Sequence, residues 1–144
     1  AAGAVAVAGF LKRQGLDTAT FNQVDGSGLS RRNLVSSQTL TDLLLAASKQ
    51  PWFDAWYNAL PIAGNTDRMT GVSLRYRLRD TQAQNNLHAK TGSMGGVSSL
   101  SGYITDAHGR KLVFAMFTNN YVVAGAQVKA VEDHVAVALA RSDE

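Results

Sequence analysis

The chain has 144 residues, 45% of them hydrophobic, which is enough for one compact domain with a modest core. It has no cysteine, which excludes disulfides, thiolate metal sites and a cysteine nucleophile while leaving the redox compartment open. Lys and Arg outnumber Asp and Glu by 14 to 11, a mild surplus concentrated at Arg31-Arg32 and at Arg75, Arg77 and Arg79; patches this short read as solvated faces, and no nucleic-acid partner is expected without a longer basic stripe or a reading motif.

Ala1 to Phe10 is small and apolar, but it lacks a charged leader and Lys12 and Arg13 follow at once, so it reads as a helix start and neither as a signal peptide nor as a membrane span. Any secretion signal is expected upstream of Ala1. The helix is predicted over Ala4 to Gln14, ended by Gly15, whose missing side chain suits the left-handed turn that follows a helix. Asp25-Gly26-Ser27-Gly28-Leu29-Ser30 is a turn cluster with hydroxyls available for exposed amides. Ser36 or Ser37 caps a helix through Lys49, with Leu40, Leu43, Leu44 and Ala47 on one face. Pro51 suits the first position of another helix, and its Trp52, Phe53, Trp56 and Leu60 make an apolar side, read as core, before Pro61. Pro61 to Gly71 reads as a loop and Ser73 to Arg79 as a short helix.

Beyond the polar link at residues 82–86 the period changes. Strands are predicted at Leu87 to Thr91, Ser98 to Thr105 and Lys111 to Thr118, with a hairpin turn at Asp106-Ala107-His108-Gly109. Val128, Val131, Val135, Ala138 and Leu139 then mark an amphipathic closing helix. Helices, an antiparallel three-stranded meander and a closing helix make an α+β fold, read as a single domain over residues 1–144 with no repeat or linker.

The stretch with the most chemistry is His88-Ala89-Lys90-Thr91-Gly92-Ser93, where a cation, two hydroxyls and a glycine sit on a strand. Attack on an amide carbonyl puts negative charge on its oxygen, and a strand-edge N–H about 3 Å away stabilises that charge by a few kcal/mol. Strict alternation sends Lys90 and Thr91 to opposite faces, so both serve one cleft only if the edge twists or the lysine reaches around it. His88, His108 and His134 have no metal-ligand spacing and read as surface or structural histidines, no paired carboxylates of a glycosidase stand out, and no cofactor is expected.

Lys90-Thr91-Gly92-Ser93, preceded by Asp25-Gly26-Ser27-Gly28-Leu29-Ser30-Arg31-Arg32-Asn33, resembles the class C low-molecular-mass penicillin-binding proteins, the serine D-alanyl-D-alanine carboxypeptidases and endopeptidases. The order of elements is similar as well. The resemblance implies the C-terminal part of a serine β-lactamase/penicillin-binding-protein-like transpeptidase fold, in a periplasmic or other extracytoplasmic enzyme acting through an acyl-enzyme on D-Ala-D-Ala ends or D-alanyl crosslinks of peptidoglycan stem peptides, and binding β-lactams. It implies catalytic roles for Lys90, as positive potential and proton relay, and for Ser93, whose N–H is an oxyanion donor. It implies that the Thr91 and Ser93 hydroxyls hold the terminal carboxylate, that Gly92 lets the substrate backbone lie against the strand, and that Met94 and Leu74 lie beside the substrate.

The nucleophile motif Ser-x-x-Lys and the relay motif Ser-x-Asn occur nowhere in the 144 residues. Ser30-Arg31-Arg32-Asn33 has one residue too many for the second motif and reads as structural. Both motifs are expected upstream of Ala1, on a longer precursor or on a second chain, and the 144 residues alone are expected to be inactive. A non-enzymatic module that holds peptides or a protein partner in the same strand cleft is the alternative.

Overall fold

The computed structural model describes residues 2–143. They fall into two compact units, one ending at Gln50 and the other beginning at Pro51.

In the first unit, α1 (Ala2–Arg13) ends where the Leu16 N–H donates to the Leu11 carbonyl at 3.1 Å and the Gly15 N–H to the Lys12 carbonyl at 3.0 Å, with Gly15 at φ 75°. That pair of bonds needs a left-handed residue at the second position, which glycine adopts without a Cβ penalty. The Gly-rich phrase after it is stapled by its own side chains. Asn33 accepts from the Val24 N–H at 2.8 Å and donates to the Asp25 carboxylate at 3.1 Å, and the Ser27 hydroxyl donates to the same carboxylate at 2.9 Å. These donors, Asn33 first, hold the Asp25 carboxyl below its usual range. Asn33 thus works as a loop cross-link. Ser36 caps α2 (Ser37–Ala47) by accepting from the Thr39 N–H at 3.0 Å, and α2 buries Leu44 and Ala47 while Leu40 and Leu43 are half-buried.

The second unit runs α3 (Phe53–Ala59), α4 (Arg68–Gly71), a 3₁₀ turn (Val72–Leu74), β1 (His88–Met94), β2 (Val97–Thr105), β3 (Lys111–Asn119) and α5 (Gly125–Arg141). The strands form one antiparallel sheet in the order β1-β2-β3, with Thr91 opposite Leu100 and Ser93 opposite Ser98. In the β2–β3 turn, Asp106 accepts from the His108 and Arg110 N–H groups at 2.9 Å each, and Gly109 has φ 78°. On one face, Ala89, Leu100 and Ile104 cluster with Leu74, Leu78 and Leu87 and with Ala136 and Ala140 of α5. Leu74, Leu87, Leu100 and Ile104 have no exposed surface, and each such burial stabilises by about 1.5–3 kcal/mol. The overall class is the α+β arrangement expected.

Several local expectations are corrected. The 61–71 loop contains α4, nucleated by Asp67, whose carboxylate accepts from the Met69 and Thr70 N–H groups at 3.0 and 2.8 Å. The helix expected over Ser73 to Arg79 is only the 3₁₀ turn followed by turns. On α3 the inward row is Phe53 and Tyr57, which meet Tyr103 edge-on at 5.2 and 5.7 Å, so Trp52 and Trp56, a hundred degrees round the helix, stay exposed. On α5 the buried row is Val128, Glu132, Ala136 and Ala140, four residues apart, while Val131 and Val135 face outward.

Candidate active site

β1 is an edge strand, and its backbone decides what the edge offers. The Ala89 N–H donates outward, to the Pro61 carbonyl at 2.9 Å, on the side away from β2. Amides alternate along a strand, so the N–H and carbonyl groups of Thr91 and Ser93 point to that same outer side. Past Ala89 no described strand pairs with it. The result is a short run of backbone donors and acceptors of the kind to which an extended chain adds.

Lys90 and Thr91 do leave the strand on opposite faces: Thr91 and Ser93 share the side of Ala89 and Leu100, Lys90 that of His88 and Tyr103. The lysine closes the gap by curling round the edge. Its Nζ donates to the outward-facing Thr91 carbonyl at 2.6 Å, which brings the ammonium to the same edge as the Ser93 N–H. Met94 is the last residue of β1, half-buried, before the Gly95-Gly96 turn, where Gly96 has φ 72°. Gly92 is bare on the Lys90 face, where a Cβ would come 2.5 Å from the Ser99 hydroxyl.

On the other face lies a cavity of about 180 Å³ lined by Ser73, Arg77, Thr91, Gly92, Ser93, Ser98, Ser99, Lys129 and Glu132. Its floor is an ionic network. Glu132, only 3% exposed, accepts from the Ser98 hydroxyl at 2.6 Å and from Arg77 Nη2 at 3.0 Å, and Arg77 also reaches Asp133 at 2.7 Å. Arg77, expected on a solvated face, is therefore largely enclosed, with 14% of its side chain exposed. At the rim, Thr91 Oγ1 donates to Ser73 Oγ at 2.9 Å. Leu74, expected beside a substrate, has no exposed surface and packs in the core, so it offers a substrate no contact here; its neighbour Ser73 is the residue at the cavity.

Ser73, Arg77, Ser98, Lys129 and Glu132 were not candidates on sequence. The one available signal was a glutamate breaking the small-apolar row of α5 at every fourth position, where a charge is buried only with partners.

β1 is anchored at its other end by His88, which is 8% exposed, stacks on Tyr57 at 3.9 Å and has Nδ1 3.1 Å from the Tyr57 carbonyl. Lys111 Nζ lies 3.9 Å from the Tyr57 ring centre. Burial, with the nearby Lys111 charge, pushes the His88 pKa down from 6.5, against the opposing bond to the Tyr57 carbonyl. A depressed folded pKa means that the unfolded chain takes up the proton first, so stability is full above pH 6.5 and falls as the pH drops toward the folded pKa. Urea midpoints at pH 7 and pH 5 are expected to differ more in the wild type than in His88→Gln; equal differences would contradict this role.

Among the described residues there is no group of three or more potential metal ligands, and no helix is long and apolar enough to cross a membrane.

Over residues 1–142 the sequence matches the D-Ala-D-Ala carboxypeptidase 3 (S13) family. It is 45% identical over 139 residues to the D-alanyl-D-alanine carboxypeptidase of Actinomadura sp. (strain R39), covering 96% of this chain and 25% of that protein. The structure matches the crystal structure of penicillin-binding protein 4 from Haemophilus influenzae with a TM-score of 0.84 and 33% identity, over 97% of this chain and 32% of that one. It matches the same protein in complex with a β-lactam with the same score, over 33% of that chain. The match falls on the C-terminal region of the Haemophilus influenzae protein. This chain thus spans about a quarter of the length of its Actinomadura relative. The family match over residues 1–142 and the 45% identity to the Actinomadura enzyme show that the chain belongs to the D-Ala-D-Ala carboxypeptidase 3 (S13) family.

Proposed function

We propose that this chain is the Lys-Thr-Gly-bearing, C-terminal part of a serine-type D-Ala-D-Ala carboxypeptidase or endopeptidase acting on peptidoglycan stem peptides outside the cytoplasmic membrane. The nucleophilic Ser-x-x-Lys and the Ser-x-Asn relay come from a segment upstream of these residues or from a second chain. Both compact units belong to that one transpeptidase-like domain.

The observation that carries this reading is the outer edge of β1, where the Lys90 ammonium lies 2.6 Å from the Thr91 carbonyl on the same side as the Ser93 N–H. A stem peptide adds to this edge as an extra strand, over Gly92. Its penultimate D-Ala carbonyl takes a hydrogen bond from the Ser93 N–H, and its terminal carboxylate meets the Thr91 and Ser93 hydroxyls. Lys90 adds positive potential for the carboxylate and for the developing oxyanion. The serine oxygen bonds to the carbonyl carbon, the C–N bond breaks, the departing nitrogen takes a proton through the relay to which Lys90 belongs, and D-Ala leaves; water then cleaves the ester. Met94 borders the bound peptide at the turn. Leu74 contributes by fixing the 3₁₀ turn that carries Ser73.

The test is release of free D-alanine from a stem peptide ending in D-Ala-D-Ala, by the protein together with its nucleophile-bearing part. Release that stops after treatment with penicillin is expected. Saturable binding of the peptide without release contradicts the enzyme and favours a module that holds peptides in the same cleft.

A further inference from the structure

We infer that Ser73 is a positioning residue for Thr91, aiming its hydroxyl at the free carboxylate of the acyl donor; this rests on the reading of the β1 edge as a peptidase cleft. The two side chains come from elements 18 residues apart and meet at 2.9 Å, Thr91 Oγ1 donating to Ser73 Oγ at the rim of the cavity. A hydroxyl has one proton and two lone pairs. When a carboxylate, which only accepts, arrives beside Thr91, the Thr91 proton turns to it and the Ser73 hydroxyl donates into the lone pair that Thr91 leaves open. The chain Ser73 to Thr91 to carboxylate then has each bond polarising the next, and Ser73 selects the Thr91 rotamer that faces the ligand.

The mount of Ser73 is built against local preference. Val72, just before it, has φ 44° and ψ −115°, a region that a β-branched residue avoids. Such a conformation persists only where the surroundings over-determine it. Here they do. A Cβ on Gly71 would lie 1.9 Å from the Asn65 carbonyl oxygen, so the chain passes that point with no clearance, and Leu74 on the far side is locked in the core with its carbonyl accepting from the Gly64 N–H at 3.0 Å. Arg77, one turn on, ties the same segment to α5 through Glu132 and Asp133. The strained Val72 turn presents an exposed serine at the cavity, where a hydroxyl that only decorated the surface would need no such constraint.

The experiment measures the rate constant for acylation of the complete enzyme by a penicillin and by its methyl ester, in the wild type, Ser73→Ala and Ser73→Thr. The ratio of acid to ester is internal to each preparation, so any loss of folded protein cancels. Ser73→Ala is expected to lower the ratio about fivefold, the worth of one hydrogen bond, by slowing the acid alone, and Ser73→Thr to restore it to within twofold. Equal slowing of acid and ester in Ser73→Ala, an unchanged ratio, or failure of Ser73→Thr to restore it overturns the role of Ser73 while leaving the peptidase reading intact. A wild type that takes up neither compound, or prefers neither, overturns the peptidase reading of the cleft and the role of Ser73 with it.

Discussion

Replacing Arg77 with methionine is expected to cost about 3–5 kcal/mol of stability, because it strands a buried charge. Glu132 is 3% exposed and has two partners, the Ser98 hydroxyl at 2.6 Å and the Arg77 guanidinium at 3.0 Å. A hydroxyl alone does not offset the lost hydration of a carboxylate. Arg77 also donates to Asp133 and to the Lys129 carbonyl at 3.2 Å, so its loss frees the turn after Leu74 from α5. The double variant Arg77→Met with Glu132→Gln removes both charges, and most of the loss should return. Urea unfolding measures this directly: at a slope of about 2 kcal/mol per molar, the single variant should unfold roughly 2 M earlier than the wild type and the double variant well under 1 M earlier. A single variant within 1 kcal/mol of wild type would mean that the network is not the tie it is taken for.

The second large effect is on chemistry and not on stability. Lys90 is exposed and is not a member of the core cluster; its one described polar contact is the bond to the Thr91 carbonyl at the outer edge. Lys90→Ala should therefore leave the unfolding midpoint near wild type while slowing penicillin acylation by about 10²–10⁴-fold, the range for losing a proton-transfer partner. Lys90→Arg should not rescue it, since a planar fork cannot occupy the position of a compact ammonium on a flexible stem. Acylation of Lys90→Ala within fivefold of wild type would remove the lysine from the mechanism.

Local signals were legible and long-range ones were not. The three strands, the turn at Asp106 to Gly109, the cap at Ser36 and the stop at Gly15 each rest on residues a few positions apart, and the structure has each within a few residues of its expected place. The opposite faces of Lys90 and Thr91 were legible too, since alternation is local; that the lysine curls round the edge was not. The ionic floor of the cavity joins Arg77 to Glu132 across 55 residues, and no period within one element encodes such a pair. It misled the reading of α5 directly. Val131 and Val135 look like core because valine is apolar, whereas the buried row carries Glu132, whose charge is offset by Arg77 from the turns after the 3₁₀ segment and by Ser98 of β2. On α3 the pattern Trp52, Phe53, Trp56, Tyr57 offers two adjacent rows, and only the presence of Tyr103 and His88 opposite selects the Phe53–Tyr57 row. Val72 was invisible because no propensity places a β-branched residue at φ 44°.

The proposal that these residues form the strand side of an acyl-transfer site, with the nucleophile elsewhere, is tested most directly by mass. The intact mass of every polypeptide in the purified protein is measured before and after exposure to a penicillin, followed by peptide mapping of any adduct. A drug-sized gain on the serine of a Ser-x-x-Lys outside these 144 residues, with none inside them, is the expected result. An adduct on any residue within the 144 would contradict it, because the nucleophile would then lie in this chain and the motif assignment would be wrong.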